Sequence, residues 1–405
     1  MLATMTYPAM KIVLLACVVV PAVAQQAGSI RRLDGSVISA SDAQSLASVE
    51  LKADGVTGAQ IAILNHGHLV WSYAYGLRDV AKNLPMTTDT NVWAASITKA
   101  VFATWVMRQV EEGKLNLDEP VAKMLPRPLN EYERYEVSGT ELMKDPRWAQ
   151  VTPRMLLSHT SGFANFRELE PDGKIHIHFT PGTRFAYSGE GLNLLQFVLE
   201  QTMGITIDHA MAEDIFKPLG MMQTGMVWQP SFDENAGMRY DAKGKLIGPT
   251  HRTDSKAAGS MTTSAHDLAL FLRALLAKKI VNASTEKEMF TEQIAIHATH
   301  QFPPFEVSTG NDGERVGLGY ALGWGVLTHT KYGPAFFKEG HGDGAENYAI
   351  CFERSGDCMI VLTNSDNGEL AFRPLAEGLF GDTVTPWIWE GYTREQVLHN
   401  EEHTK

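Results

Sequence analysis

Strand-like segments stand near both ends of this 405-residue chain, and helical patterns fill its middle. That order demands a discontinuous fold, because the two ends must share one sheet while the middle is extruded as an insert. Near the start, Gly58-Ala-Gln-Ile-Ala-Ile-Leu and Leu69-Val-Trp-Ser-Tyr-Ala-Tyr flank Asn65-His66-Gly67-His68 and predict a hairpin. Near the end, Gly317 to Val326, Glu346 to Glu353 and Cys358 to Asn364 read as successive strands. Helical signals lie between them, at 96–115, at the capped and proline-started Thr152-Pro-Arg-Met-Leu-Leu-Ser-His, at Gly191 to Glu200, and after Asp267. A helix over 41–54 with Ser41 as cap precedes the hairpin, and one from Leu370 to Phe380 closes the fold. The expected class is α+β, an antiparallel sheet flanked by helices with an inserted mainly helical lobe. Residues 25–95 and 256–392 would build the α/β lobe, 96–255 the helical lobe, and 393–405 a C-terminal tail. From Thr383 onward, packing on the α/β lobe and fraying both remain open.

Residues 1–24 read as a secretory signal peptide. Lys11 precedes the apolar run Ile12 to Val20, and Ala22-Val-Ala24 supplies an A-x-A cleavage end. The run is too short to span a bilayer. Leu14-Leu15-Ala16-Cys17 makes a poor lipoprotein box, because the apolar core continues past the cysteine. A periplasmic or secreted location follows. The net charge of −12, with no Lys/Arg cluster, excludes nucleic acid as a partner. Cys351 and Cys358 flank the turn signal Arg354-Ser355-Gly356-Asp357, which places them diagonally offset on one face of a hairpin. Both a bridge and a pair of free buried thiols fit that spacing.

Ser96-Ile-Thr-Lys99 carries the chemistry. Three residues apart on a helix, the hydroxyl and the amine share one face. The helix continues Ala100-Val-Phe-Ala-Thr-Trp-Val-Met, apolar nearly all round and therefore buried, with Gly113 as its stop. Burial disfavours an ammonium, so Lys99 is poised to be the unprotonated base that a weak serine nucleophile requires. The chain holds its own control in Ser284-Thr285-Glu286-Lys287. There the flanks are mixed, and Thr285 with Glu288 reads as a capping box at a surface helix start.

Seven motifs in order then resemble one family. They are Trp93-Ala-Ala-Ser-Ile-Thr-Lys99, Gly113-Lys-Leu-Asn-Leu-Asp-Glu-Pro-Val, Leu156-Leu-Ser-His-Thr-Ser-Gly162, Pro181-Gly-Thr-Arg-Phe-Ala-Tyr187-Ser188, Ala258-Gly-Ser-Met-Thr-Thr-Ser264, Gly323-Trp324-Gly325 and Val361-Leu-Thr-Asn364. Together they resemble the serine β-lactamase and penicillin-binding protein superfamily, in its class C β-lactamase, DD-peptidase and esterase branch. The resemblance implies a two-lobed β-lactamase/DD-peptidase-like fold, no cofactor, and small ester, peptide or amide substrates. It casts Ser96 as the acylated nucleophile, Lys99 as its proton acceptor and Tyr187 as a second base. It places the family's strand triplet, His-x-Gly in many esterases, at Gly340-His341-Gly342-Asp343-Gly344. The oxyanion hole would then be the backbone N–H groups of Ser96 and Gly344. His341 would line the site and hold an anionic substrate terminus only when protonated.

Two departures weigh on substrate. The family's Tyr-x-Asn is Tyr187-Ser188-Gly189 here, and the triplet's usual final glycine is Asp343, whose charge should disfavour anionic substrates. Ester or D-amino-acid peptide and amide hydrolysis therefore ranks above β-lactam hydrolysis. The alternatives are a class C-type β-lactamase and a non-catalytic peptidoglycan-binding or assembly homologue. Gly189, Gly342, Asp343 and His341 are the expected substrate-binding residues. No metal site is expected: His176-Ile-His178 alternates as in a strand and His297-Ala-Thr-His300 has helical spacing, but neither has an acidic partner at a zinc-enzyme spacing. His159 belongs to a structural turn.

Overall fold

The computed structural model describes residues 28–403, so the signal-peptide reading and Cys17 lie outside the described residues. Nine strands form one antiparallel sheet: β1 Gly58–Asn65, β2 His68–Asp79, β3 Leu84–Pro85, β4 Ile294–Ala295, β5 Leu318–Tyr320, β6 Gly325–Leu327, β7 Ala335–Gly342, β8 Ala345–Phe352 and β9 Asp357–Thr363. Their spatial order is β4-β5-β6-β7-β8-β9-β1-β2-β3. Both ends of the chain thus meet where β9 pairs with β1, Ile360 opposite Ala62.

Period-two alternation divides the sheet into two faces. Ala62, Leu64, Ile360 and Leu362 join one core, which extends through α2 Ile97–Glu111, α4 Gly189–Met203 and α5 Ala265–Leu276. Ala59, Ile61, Ile63 and Val361 join the other, beneath α1 Ala40–Ala53 and α6 Gly368–Leu375. Because both faces are covered, the central strands read as nearly continuous apolar runs. From Thr383 to Tyr392 the chain packs rather than frays: Trp387, Trp389 and Tyr392 are buried in that second core.

Local chemistry explains the boundaries. Helix α3 Pro153–Leu157 starts as expected, the Thr152 side chain accepting from the Met155 N–H. Elsewhere the caps move. Ser39 rather than Ser41 caps α1, since only its oxygen reaches the Asp42 N–H. Asn282 caps the helix Ala283–Phe290, accepting from the Ser284 and Thr285 N–H groups, so the Thr285–Glu288 capping box does not form. The expected single strand from Gly317 to Val326 is two, β5 and β6, turning through Leu322-Gly323-Trp324. His176 and His178 lie outside any strand, and His297 and His300 outside any helix. Cys351 and Cys358 sit directly opposite in the β8–β9 register, not diagonally, with Cα atoms 4.1 Å apart, and they form a disulfide.

Candidate active site

Ser96 stands at the N-terminus of α2, and the residue before it, Ala95, has φ of 45°. A non-glycine residue in that left-handed region costs of order 1–3 kcal/mol and persists only where surroundings enforce it. Ser96 accepts no capping role: its side chain makes no cap hydrogen bond. Instead Lys99 Nζ donates to Ser96 Oγ at 2.8 Å and to the Ala258 carbonyl at 2.5 Å. Lys99 is 1% exposed. Burial, then the charge of Lys338, holds its pKa well below the usual lysine range. Tyr187 is also buried, and Lys99 Nζ lies 5.0 Å from its ring centre. Burial raises the Tyr187 phenol, and its hydroxyl faces Ser96 and Lys338 without making a well-formed hydrogen bond. Ser96, Lys99 and Tyr187 are therefore brought together.

Lys338 escaped the sequence reading. It is fully buried on β7, its Nζ 4.9 Å from the Tyr187 ring centre and 2.6 Å from Glu339 Oε1. Burial pulls its pKa down, but the neighbouring Glu339 carboxylate and Tyr187 together outweigh that and raise it. Glu339, whose pKa burial raises, is held low by Lys338 and also accepts from Gln301 Nε2 at 3.0 Å. The available signal was a lysine in the apolar run Ala335-Phe-Phe-Lys338, with a glycine two residues on.

Strand β7 thus approaches the nucleophile three residues earlier than the His-x-Gly reading assumed. A Cβ on Gly340 would lie 2.4 Å from the Ala94 carbonyl and 3.2 Å from the Ile97 nitrogen, so only glycine lets the strand pass this turn. Amide direction follows from register. Glu346 donates its N–H to Thr363 Oγ1 on β9, and the close 4.1 Å Cys351–Cys358 pair is of the non-hydrogen-bonded kind. Both set the Asn347 and Cys351 amides toward β7, opposite Gly340 and Phe336. Alternation then turns the Phe337, Glu339 and His341 amides away from β8. Strand β6 ends at Gly325, opposite Phe337, so the His341 N–H meets an open edge.

The other expected substrate contacts sit elsewhere. Gly344 has its N–H donated to the Asp366 carboxylate, which leaves that amide engaged away from Ser96. Asp343 is exposed, its carbonyl accepting from Arg239 Nη1 at 2.7 Å. Gly342 packs under Trp93, where a Cβ would meet the indole at 2.4 Å. Gly189 is buried, its N–H donating to Asn165 Oδ1 at 2.9 Å, and a Cβ there would meet Phe166 at 2.7 Å. His159 is fully buried with φ of 56°; its Nδ1 accepts from the Ser188 N–H at 3.1 Å and so fixes the Tyr187 turn.

A cavity of about 980 Å³ opens over this centre, with Ser96, Tyr187, Glu339 and His341 in its wall. The His341 ring is 68% exposed, and its Nδ1 donates to Glu346 Oε2 at 2.9 Å and Glu369 Oε1 at 2.6 Å. Glu346 beside it, then burial working in the opposite sense, leaves the imidazole pKa raised. Burial and the second carboxyl, Glu369, push the Glu346 carboxyl well above the usual carboxylate range. Among the described residues these three form a group whose ligand atoms lie within 4.8 Å of one another, close enough to hold a cation.

A family model described as Beta-lactamase matches residues 43–379. Esterase EstB of Burkholderia gladioli is 29% identical over 203 residues, covering 44% of this chain and 49% of EstB. The chain thus spans about half the length of that curated relative. The octameric penicillin-binding protein homologue from Pyrococcus abyssi superposes with a TM-score of 0.67 at 24% identity, over 86% of this chain and 79% of that one. A D-stereospecific amidohydrolase from Streptomyces sp. gives 0.64 at 22% identity, over 85% of this chain and all of the other. At those identities the structures speak for the fold.

Proposed function

The chain belongs to the Beta-lactamase family, and on that premise we propose that it is an exported serine hydrolase working through an acyl-enzyme on Ser96. One observation carries the reading: a buried lysine, its neutral form favoured, 2.8 Å from the Ser96 hydroxyl at the start of α2. Lys99 takes the Ser96 proton as Oγ attacks the substrate carbonyl. Positioned base catalysis of this kind contributes about 10²–10⁴-fold. Tyr187, whose phenolate burial disfavours, serves as a relay that returns the proton to the leaving group, with charged Lys338 beside it. Charge develops on the carbonyl oxygen between the Ser96 and His341 amides, at the positive end of α2; each donor is worth about 3 kcal/mol in the transition state. His341 replaces Gly344 in this role because its amide faces the open strand edge. Water then attacks the acyl-enzyme carbonyl, giving a proton to the same base, which passes it to Ser96 Oγ as the ester bond to the serine breaks and the carboxylic acid departs.

The substrates are esters or D-amino-acid peptides and amides, with weak or no β-lactam turnover. Supporting this ranking, Phe166 fills the space an asparagine side chain at position 189 would need. The charge argument from Asp343 lapses, since that residue stands outside the cavity wall. A fluorophosphonate probe should label Ser96 and fail on Ser96→Ala. Purified protein should turn over p-nitrophenyl acetate or D-alanyl amides faster than nitrocefin. Failure to label Ser96, with no turnover of any of the three, would favour a binding protein; fast nitrocefin hydrolysis would favour a β-lactamase.

A further inference from the structure

One cation in the cavity wall forms no ion pair among the described residues. Arg252 lines the same cavity as Ser96, partly buried, with its guanidinium 4.3 Å from the centre of the Trp93 indole. Among the described residues, its side chain donates to no carbonyl and pairs with no carboxylate, and its Nε is buried without a partner. The nearest acid, Asp254, pairs with Lys256 at 3.3 Å instead. Arg239, which also approaches Trp93, is spoken for by the Asp343 carbonyl. The surroundings hold Arg252 in place: its own carbonyl accepts from the Trp228 N–H at 2.8 Å, and the Trp93 Nε1 donates to the Gly259 carbonyl at 2.6 Å. Trp93 lies three residues before the nucleophile, so this platform is anchored to the catalytic turn.

A guanidinium stacked on an aromatic face, stripped of part of its water and left without an acceptor is an unfilled bidentate donor. Its planar fork matches a carboxylate, and such a group arriving with substrate would recover the hydration the folded protein gave up. We propose that Arg252 forms an anion subsite beside Ser96, and that the physiological substrate carries a carboxylate which this arginine binds. The inference rests on the hydrolase reading for the identity of the cleft, but the binding event does not. It also reverses the expectation, drawn from Asp343, that anionic substrates are disfavoured.

The test uses Ser96→Ala protein, which cannot react, titrated calorimetrically with glutarate and with neutral glutaramide as the uncharged counterpart. Glutarate should bind at millimolar concentration or tighter, more tightly than glutaramide and more weakly as salt rises. Adding Arg252→Gln should weaken glutarate by about tenfold or more, and Arg252→Lys should restore part of the loss, which separates charge from misfolding. Glutarate binding that is absent, equal to that of glutaramide, or untouched by Arg252→Gln would overturn the subsite. Because turnover is not read, this result stands apart from the fluorophosphonate test of Ser96.

Discussion

Lys99 and Lys338 flank one tyrosine ring at 5.0 and 4.9 Å and are equally hidden from water, yet their environments push them in opposite directions. Lys99 has only a hydroxyl and a carbonyl for company, whereas Lys338 has Glu339. A lysine pKa lowered on folding penalises the native state at every pH below the unfolded value of about 10.4, and stability recovers as pH rises through that window. Lys99→Met should therefore cut ester hydrolysis by about 10²–10⁴-fold while raising the melting temperature at pH 7, with the gap closing toward pH 10. A lower melting temperature at pH 7 would refute the neutral-lysine assignment. Lys338 has a raised pKa, so its contribution is fully present below the unfolded value and lost only as pH climbs through the folded one. Lys338→Met strands a buried carboxylate and should cost about 3–5 kcal/mol by urea unfolding. In wild-type protein, activity should rise with pH through the depressed Lys99 pKa, measured as kcat/KM on a neutral ester. Ser96 and Lys99 were legible because helical spacing joins them within one turn. Lys338 was not, because a charged residue in a strand says nothing of which lobe it faces.

The element that decides the site is β7, and its register is held from behind by β8 and β9. Gly340→Ala would drive a methyl into the Ala94 carbonyl at 2.4 Å and displace the strained turn before Ser96. It should lower kcat by at least about tenfold with KM little changed, since the oxyanion amides move relative to the nucleophile. The disulfide between β8 and β9 closes a short loop, with a sequence separation of 7, and chain-entropy reasoning assigns such a loop about 2.5 kcal/mol. The double substitution Cys351→Ala with Cys358→Ala should lose about that much in a denaturant titration. Strand existence was legible here from apolar alternation and turn residues. Register was not: one residue of slip separates a diagonal cysteine pair from a facing one, and three residues separate His341-x-Asp343 from Lys338-x-Gly340 as the strand segment at the nucleophile.

At the scale of the molecule, the catalytic wall draws on segments hundreds of residues apart, and the last of them is the C-terminal stretch. Trp387, Trp389 and Tyr392 are 7%, 3% and 7% exposed, while Trp389, Glu390 and Tyr392 also border the cavity. Burying each aromatic side chain is worth about 1.5–3 kcal/mol, so ending the chain before Trp387 should remove more stability than a marginal domain can spare. The expected result is insoluble protein or a melting temperature lower by more than about 10 °C. A truncated protein with wild-type stability and kinetics would show the segment to be dispensable. By itself the sequence determined what short-range physics can encode: a sheet built from both ends, a helical insert, and a serine and lysine one turn apart on a buried helix. Only the tertiary structure decided which strand residue faces that serine, which lysine keeps its charge, and which arginine is left without a partner. Those properties depend on desolvation and on contacts across the sheet and between lobes, and no local pattern in a chain records its distant neighbours.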